Sequence, residues 1–590
     1  MINMTNINQY FFKGLIMESD KDIADIKMKM MMGIKVPMRD GVELTTDIYL
    51  PEDKLPCPII LQRSPYNSNV EASVKEAVYL VKEGYGVVLQ DVRGRWDSDG
   101  EWYPFKHEAE DGFDTQEWIG SQEWCDGNIG TIGGSYLAMV QWQAAPLRSK
   151  YLKAMAPKVG YSNFYHNWVY TGGAFQLAFN LRWIAIQMHT RTNQVQYLWM
   201  PKSNHQSDIQ WHLPLINMDE KAGRDSEIWK DWVSHPSYDD YWKKLNPIES
   251  NYDEVNVPTY GMGGWYDVFL QGTLNNYMGV KKHGLSPGKE NQKVIIGPWI
   301  HFLANDGEET ITGDIDFGEN VKIDLFNERL KWFDHWLKGI DNGINKEDSV
   351  KVFVMGKNQW RTATDWPIPE TKYTKFYIHS DGSANGCKGD GILNINPPLD
   401  EESDQFIYDP SDPVPTTGGS TCCSEDVTPV PMGPREQKKI EHRNDILIYN
   451  TEPLENDIEV TGPIEMILYA SSDCKDTDFT CKLIDVFPDG KSINIAQGIQ
   501  RARYRDSWEN PELLDSGKIY KFTIDMWSSS NYFFKNHKIR IEISSSNFPQ
   551  FDRNPNTGNE FGMDTELKIA NQNIFHNKSY DSHIILPIVN

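Results

Sequence analysis

Cysteine is scarce in this sequence, seven among 590 residues, and none forms a C-x-x-C pair or sits at zinc-ligand spacing with histidine. A disulfide-stapled scaffold and a structural zinc site are therefore not expected; a reduced, cytoplasmic protein is. Cys422 and Cys423 are neighbours, and because a bridge between adjacent cysteines strains its geometry, both are read as incidental. Long apolar runs are missing too. No stretch approaches the roughly 18 to 20 residues that span a bilayer, and the first residues, with Asn, Gln, Lys and Asp scattered among the apolar ones, lack the basic and apolar regions of a signal peptide. Positive charge is in short supply: 58 Lys and Arg stand against 84 Asp and Glu, a formal charge of −26. Such a field repels phosphate backbones and anionic head groups, which sets aside nucleic-acid and membrane-surface roles.

What the chain does have is aromatic bulk, including 20 Trp, and a regular grammar of short apolar runs. "IKVPMRDGVELTTDIYLP" alternates around Asp40-Gly41 as a β-hairpin does. "PIILQR" and "YGVVLQDVRG" are continuous apolar runs of the kind found in strands buried on both faces, and "SVKEAVYLVKEGYG" between them has helical spacing. Strand, helix, strand is the unit of a parallel sheet. "GNIGTIGGSY" is a further strand followed by the helix formers of "YLAMVQWQAAP". Residues 161 to 246 are rich in Trp, His, Asn and Gln at helical spacing; "VPTYGMGGWYD" and "KVIIGPWIH" then resume the strand pattern. From about Lys372 many short alternating runs separated by turn residues point to a β-sandwich or jelly roll, interrupted by the Pro- and Gly-rich loop around "TTGGSTCC".

The expected fold class is α/β: an N-terminal extension (1–33), a first part of an α/β-hydrolase core (34–160), an inserted helical cap (161–246), the second part of the core (247–356), and a linker with an all-β jelly-roll domain (357–590). Open α/β sheets present chemistry at the carboxyl ends of their strands. Three such ends carry Ser135, Asp267 and His301, in the chain order Ser, Asp, His of that architecture. A serine hydroxyl is a poor nucleophile until an imidazole removes its proton, and the imidazole needs a carboxylate to fix its tautomer. The G-x-S-x-G elbow is incomplete, since Leu137 stands where its last glycine belongs, but Gly133 supplies the small residue before the serine. Ala138 is a modest intrusion for the helix packing behind the elbow.

"GGSYLA" followed by "QWQAAP", "RSPY", "QDVRG", "GGWYD", "GPWIH", "EVTGP", "KLIDVFPDG" and "RARYR" together resemble the CocE/NonD hydrolases, relatives of the S15 X-Pro dipeptidyl-peptidases and the α-amino acid ester hydrolases. The resemblance implies Ser135 as nucleophile, His301 as base and Asp267 as its carboxylate, with no metal or cofactor. It further implies that Tyr66 of "RSPY" and the backbone N–H of Tyr136 form the oxyanion hole. In members that act on amino acid esters two acids follow the catalytic Asp closely; here those positions are Phe269 and Leu270. Phe269, Trp168 and Trp183 fall where the esterase branch lines its acyl pocket with aromatics, which favours an uncharged aryl or alkyl acyl group. An acyl esterase is the expected activity. A dipeptidyl-peptidase, amidase or amino acid ester hydrolase using an acid elsewhere in the cap, or a non-catalytic binding protein, are the alternatives, and self-association is left open.

Overall fold

The computed structural model describes residues 27–192, 205–245, 247–301, 307–422 and 430–589. Most of the expected N-terminal extension, and Cys423, lie outside these.

The first sheet is built from β1 (Met28–Pro37), β2 (Glu43–Pro51), β3 (Cys57–Ser64), β4 (Gly86–Asp91), β5 (Cys125–Gly134), β6 (Leu152–Lys158), β7 (Thr259–Gly264), β8 (Gln292–Gly297), β9 (Val350–Val354) and β10 (Gln359–Ala363), in the order β1-β2-β4-β3-β5-β6-β7-β8-β9-β10. The strands from β4 to β9 run parallel, and every residue of β3, β4, β7 and β8 is buried. That double-sided burial is why these strands read as unbroken apolar runs. Antiparallel pairs close both edges, β1 with β2 on one side and β9 with β10 on the other. The sheet thus continues through Ala363, past the boundary expected at 356. β10, "QWRTA", is short and half-exposed and carries little apolar signal.

Helices cover the sheet where glycine lets them approach. Helix α1 (Glu71–Lys82) precedes β4, α2 (Glu108–Gly120) precedes β5, α3 (Tyr136–Ala144) follows β5, α4 (Leu270–His283) follows β7, and α5 (Leu325–Lys338) lies between β8 and β9. Asp324 caps α5 by accepting the Asn327 N–H at 2.9 Å, and Gly339, at φ 69°, ends it. Phe333 and Leu337 of this helix press on β5 at Gly130, where a Cβ would come within 2.6 Å of the Phe333 ring.

Between β6 and β7 sits the cap. It is helical as expected, though much of it is in π-helical turns, Tyr165–Val169 and Leu181–Gln187, and Tyr170–Thr171 pairs with Ala174–Phe175 as a small ribbon. Trp168, Trp183, Trp229, Trp232 and Trp242 are all buried, so the tryptophan richness of this segment builds the cap's own core. In the helix Glu227–Ser234 the buried Trp229, Trp232 and Val233 recur at helical spacing, and Ser226 caps it by accepting the Trp229 N–H at 3.3 Å. Such a cap contributes about 1 kcal/mol.

The C-terminal part is all-β: twelve strands from Lys372–His379 to His583–Val589 form one continuous network. Its backbone is the long strand Ile458–Ser472, paired antiparallel with Tyr520–Phe533 across a bulge at Pro463 to Glu465. An α/β core with an inserted cap and a following β-domain is therefore the observed architecture. One cysteine expectation fails: Cys422 is disulfide-bonded, whereas Cys57, Cys125, Cys387, Cys474 and Cys481 are free.

The β-domain holds a buried charge cluster. His576 Nε2 lies 2.9 Å from Asp404 Oδ2 and its Nδ1 lies 3.2 Å from Glu401 Oε2, with His576 and Asp404 fully buried. Two ring nitrogens facing two carboxylates require both to carry protons, an imidazolium. Burial alone would depress its pKa; the bonds and charges of Asp404 and then Glu401 outweigh this and raise it above the ordinary histidine value. Asp404, although burial opposes its charge, is lowered by His576, Tyr449, the Ala384 N–H and Ser380. A raised histidine contributes stability that is fully present below about pH 6.5, its unfolded value, and is lost as pH climbs through the folded one. The wild-type advantage in melting temperature over His576→Gln should accordingly shrink as pH rises above about 6.5. Scanning calorimetry across that range checks this, and a constant difference would contradict the charged assignment.

Candidate active site

The nucleophile candidate stands at a sharp strand-to-helix turn. β5 ends at Gly134, α3 begins at Tyr136, and Ser135 between them has φ 61° and ψ −129°. A non-glycine residue held at positive φ stores about 1 to 3 kcal/mol of strain, which the surroundings must over-determine. They do: the Ser135 N–H donates to Lys158 O at 3.0 Å, and its carbonyl accepts from Ala138 and Met139 at 2.8 and 3.2 Å. Gly133, at φ 131°, leaves room for Leu137, whose Cβ would be 2.4 Å from any Cβ added there. Ala138 fits because Gly160 faces it; a Cβ on Gly160 would sit 3.2 Å from the Ala138 methyl. A glycine on the neighbouring loop thus makes the room that the Ala138 methyl needs.

Asp267 and His301 follow β7 and β8, adjacent parallel strands. Their loops are tied together: Trp265 N–H donates to Gly297 O at 2.8 Å and Tyr266 N–H to Trp299 O at 3.0 Å. Gly264 is obligatory here, since a Cβ on it would lie 2.2 Å from the Trp299 carbonyl oxygen. His301 Nδ1 and Asp267 Oδ2 are 2.7 Å apart, with the two side chains 4% and 0% exposed. An ionised carboxylate only accepts, so Nδ1 carries the proton and the basic lone pair belongs to Nε2. The other Asp267 oxygen accepts the Phe269 backbone N–H at 2.6 Å. From the far side the β-domain reaches the same loop: Thr421 pairs with Asp267 as a parallel bridge, Ser420 Oγ donates to Trp265 O at 3.4 Å, and Tyr266 Oη donates to Asn494 O at 3.0 Å.

The remaining candidates join these into one patch. The Phe269 ring lies 5.4 Å from His301 and 5.1 Å from Trp168, Trp168 lies 4.7 Å from Trp183, and Trp183 lies 6.2 Å from Tyr136. Tyr66 meets Tyr136 edge-on at 6.3 Å, and its Oη accepts the Trp183 indole N–H at 3.0 Å. Its loop is held by Arg95, whose Nε–H donates to Pro65 O at 3.0 Å. Tyr136, Trp168, Trp183, Phe269 and His301 are buried, and Tyr66 is half-buried.

Behind the elbow lies a group that sequence reasoning did not single out. Tyr136 Oη donates to Glu108 Oε1 at 2.7 Å, and Glu108 is paired with Arg63 at 3.0 Å, both more than nine-tenths buried. Arg63 also donates to Gln90 Oε1 at 2.8 Å, a bond that ties "RSPY" to "QDVRG" in the folded sheet. Burial, and then the Glu108 charge, push the Tyr136 phenol well above its ordinary range, so its hydroxyl stays a neutral donor and clamps the first residue of α3. Glu108 opens α2, and nothing in its local sequence distinguishes it from an ordinary surface acid of a first helical turn. Among the described residues no group of His, Cys, Asp or Glu is arranged to hold a metal.

The chain matches two family models: X-Pro dipeptidyl-peptidase (S15 family) over residues 40–303, and the X-Pro dipeptidyl-peptidase C-terminal non-catalytic domain over 342–585. It is 35% identical to the cocaine esterase of Rhodococcus sp., with 96% of this chain and 100% of that protein aligned. An aminopeptidase from a marine-sediment archaeon of the Thaumarchaeota superposes with a TM-score of 0.83 at 25% identity, covering 97% of this chain and 98% of that one. A CocE/NonD family hydrolase from Staphylococcus aureus shares the fold with a TM-score of 0.71 at 19% identity, over 95% and 94%. A relative this similar along almost the whole chain, with both family models matched in order, means that the chain belongs to the S15 X-Pro dipeptidyl-peptidase family that includes the CocE/NonD hydrolases, and that it is a serine hydrolase.

Proposed function

We propose that the enzyme cleaves carboxylic esters through an acyl-enzyme on Ser135. The observation that carries this reading is the 2.7 Å bond between His301 Nδ1 and Asp267 Oδ2, at strand ends on the same side of the sheet as the elbow. With Asp267 accepting at Nδ1, Nε2 takes the Ser135 proton as Oγ attacks the ester carbonyl. The oxyanion is received by the Tyr136 backbone N–H and Tyr66 Oη, each such donor being worth about 3 kcal/mol in the transition state. His301 then gives its proton to the leaving alcohol, and the same imidazole activates the water that releases the acid.

Trp168, Trp183 and Phe269 form the acyl side of the site. Phe269 and Leu270, where amino acid ester hydrolases carry acids, are apolar and buried, which supports an uncharged aryl or alkyl acyl group. The 35% identical relative is named an esterase, which supports the same reading; the archaeal neighbour's name, an aminopeptidase, supports an amidase as the second. We further read the enzyme as cytoplasmic and without nucleic-acid partners. The five free cysteines among the described residues support the former, although Cys422 is bridged, and the charge of −26 supports the latter. No helix among the described residues is long and apolar enough to cross a membrane.

Ser135→Ala should abolish turnover and labelling by a fluorophosphonate while leaving the melting curve in place; labelling that persists would assign the nucleophile elsewhere. Tyr66→Phe should lower kcat by about 100-fold, measured on a p-nitrophenyl ester, and near-normal kcat would remove Tyr66 from the oxyanion hole. Across a panel of p-nitrophenyl acyl esters, amino acid esters and Gly-Pro-anilide, kcat/KM should be highest for uncharged acyl esters. A preference for the anilide would hand the assignment to the amidase reading.

A further inference from the structure

Trp183 sits in the acyl pocket of the proposed site, yet its geometry gives it a second task. Its indole N–H points at Tyr66 Oη at 3.0 Å. The ring has no freedom to point elsewhere: it is 4% exposed, stacks on Trp232 at 6.1 Å with an interplanar angle of 7°, and is packed edge-on by Trp168 and Trp102 at 4.7 and 5.9 Å.

A tyrosine hydroxyl has one proton and two lone pairs. If its oxygen accepts nothing, the single proton rotates to whichever acceptor is at hand, and a donor meant for a developing oxyanion is aimed correctly only part of the time. An indole N–H has no lone pair to offer, so it can only donate to Tyr66. Donation onto the oxygen turns the hydroxyl proton away from the indole and polarises the O–H bond, which strengthens it as a donor. Both effects matter most when negative charge builds up on the substrate oxygen, and little when a neutral ester is bound.

We propose that Trp183 is a positioning residue for the oxyanion hole, its indole N–H orienting and strengthening the Tyr66 hydroxyl. The inference rests on Tyr66 being an oxyanion donor. It differs from a pocket-lining role in what it demands: the effect of Trp183 must pass through one oxygen atom.

Trp183→Phe, which keeps an aromatic ring and removes the N–H, should lower kcat for p-nitrophenyl acetate by about 3- to 10-fold, the worth of one neutral hydrogen bond, with KM little changed. The deciding measurement is the double-mutant cycle with Tyr66→Phe. In the Tyr66→Phe background, where the oxygen is already gone, Trp183→Phe should cost nothing further. Equal losses in the two backgrounds would mean that Trp183 acts by packing, and would overturn this inference alone. A Tyr66→Phe enzyme with full kcat would overturn the oxyanion assignment and this inference with it. Should Trp183→Phe fail to fold, replacing Trp183 by 3-benzothienylalanine keeps the bicyclic shape and deletes only the N–H; full kcat in that variant would likewise overturn the proposal.

Discussion

The carboxylate of Asp267 is the point on which the site hangs. It is fully buried, and a buried carboxylate is tolerable only when its oxygens are satisfied. One oxygen is bound by the His301 ring and the other by the Phe269 backbone N–H two residues on. This division of labour does two things at once. The backbone bond closes the turn that carries the aspartate, so its second oxygen has a fixed direction, and that direction fixes the imidazole. Because His301 leaves β8 and Asp267 leaves β7, the bond also depends on the register of two neighbouring parallel strands and on glycines that let their loops touch.

The serine side is organised differently. Ser135 is held at positive φ by backbone bonds to β6 and to its own helix, and the first residue of that helix is anchored through Tyr136 to the buried Glu108 and Arg63 pair. Removing either partner of such a pair strands a buried charge and is costlier than the pair's net contribution. The pair therefore acts as a rigid stop behind the elbow. In front of it the aromatic chain from His301 through Phe269, Trp168 and Trp183 to Tyr66 spans the two halves of the site. The cap supplies Trp168 and Trp183 and the core supplies the rest, so cap and core meet at the candidate site.

Much of this was written in the sequence where a single physical period dominates. Strands buried on both faces announce themselves as apolar runs, and Ser135, Asp267 and His301 stood out because each closes such a run. β10 escaped notice because an exposed edge strand has no apolar face to display. The π-helical turns of the cap and its small ribbon keep an approximately helical spacing and so hide inside a helical reading. Glu108 was illegible for a deeper reason: its partners Arg63 and Tyr136 are separated from it by 45 and 28 positions, and only the folded sheet brings them together. Cys422 shows the opposite failure, a local rule applied where the folded context overrode it.

The C-terminal region matches a domain described as non-catalytic, and none of the candidate reacting groups lies in it. Yet a strand-like segment of this region pairs directly with the backbone of Asp267 through Thr421. The loop that aims the histidine is therefore a seam between two folding units, with one edge supplied by each. A substitution near Thr421 acts on the enzyme as a tuning screw acts on a string: it touches nothing that sounds, and it sets the pitch.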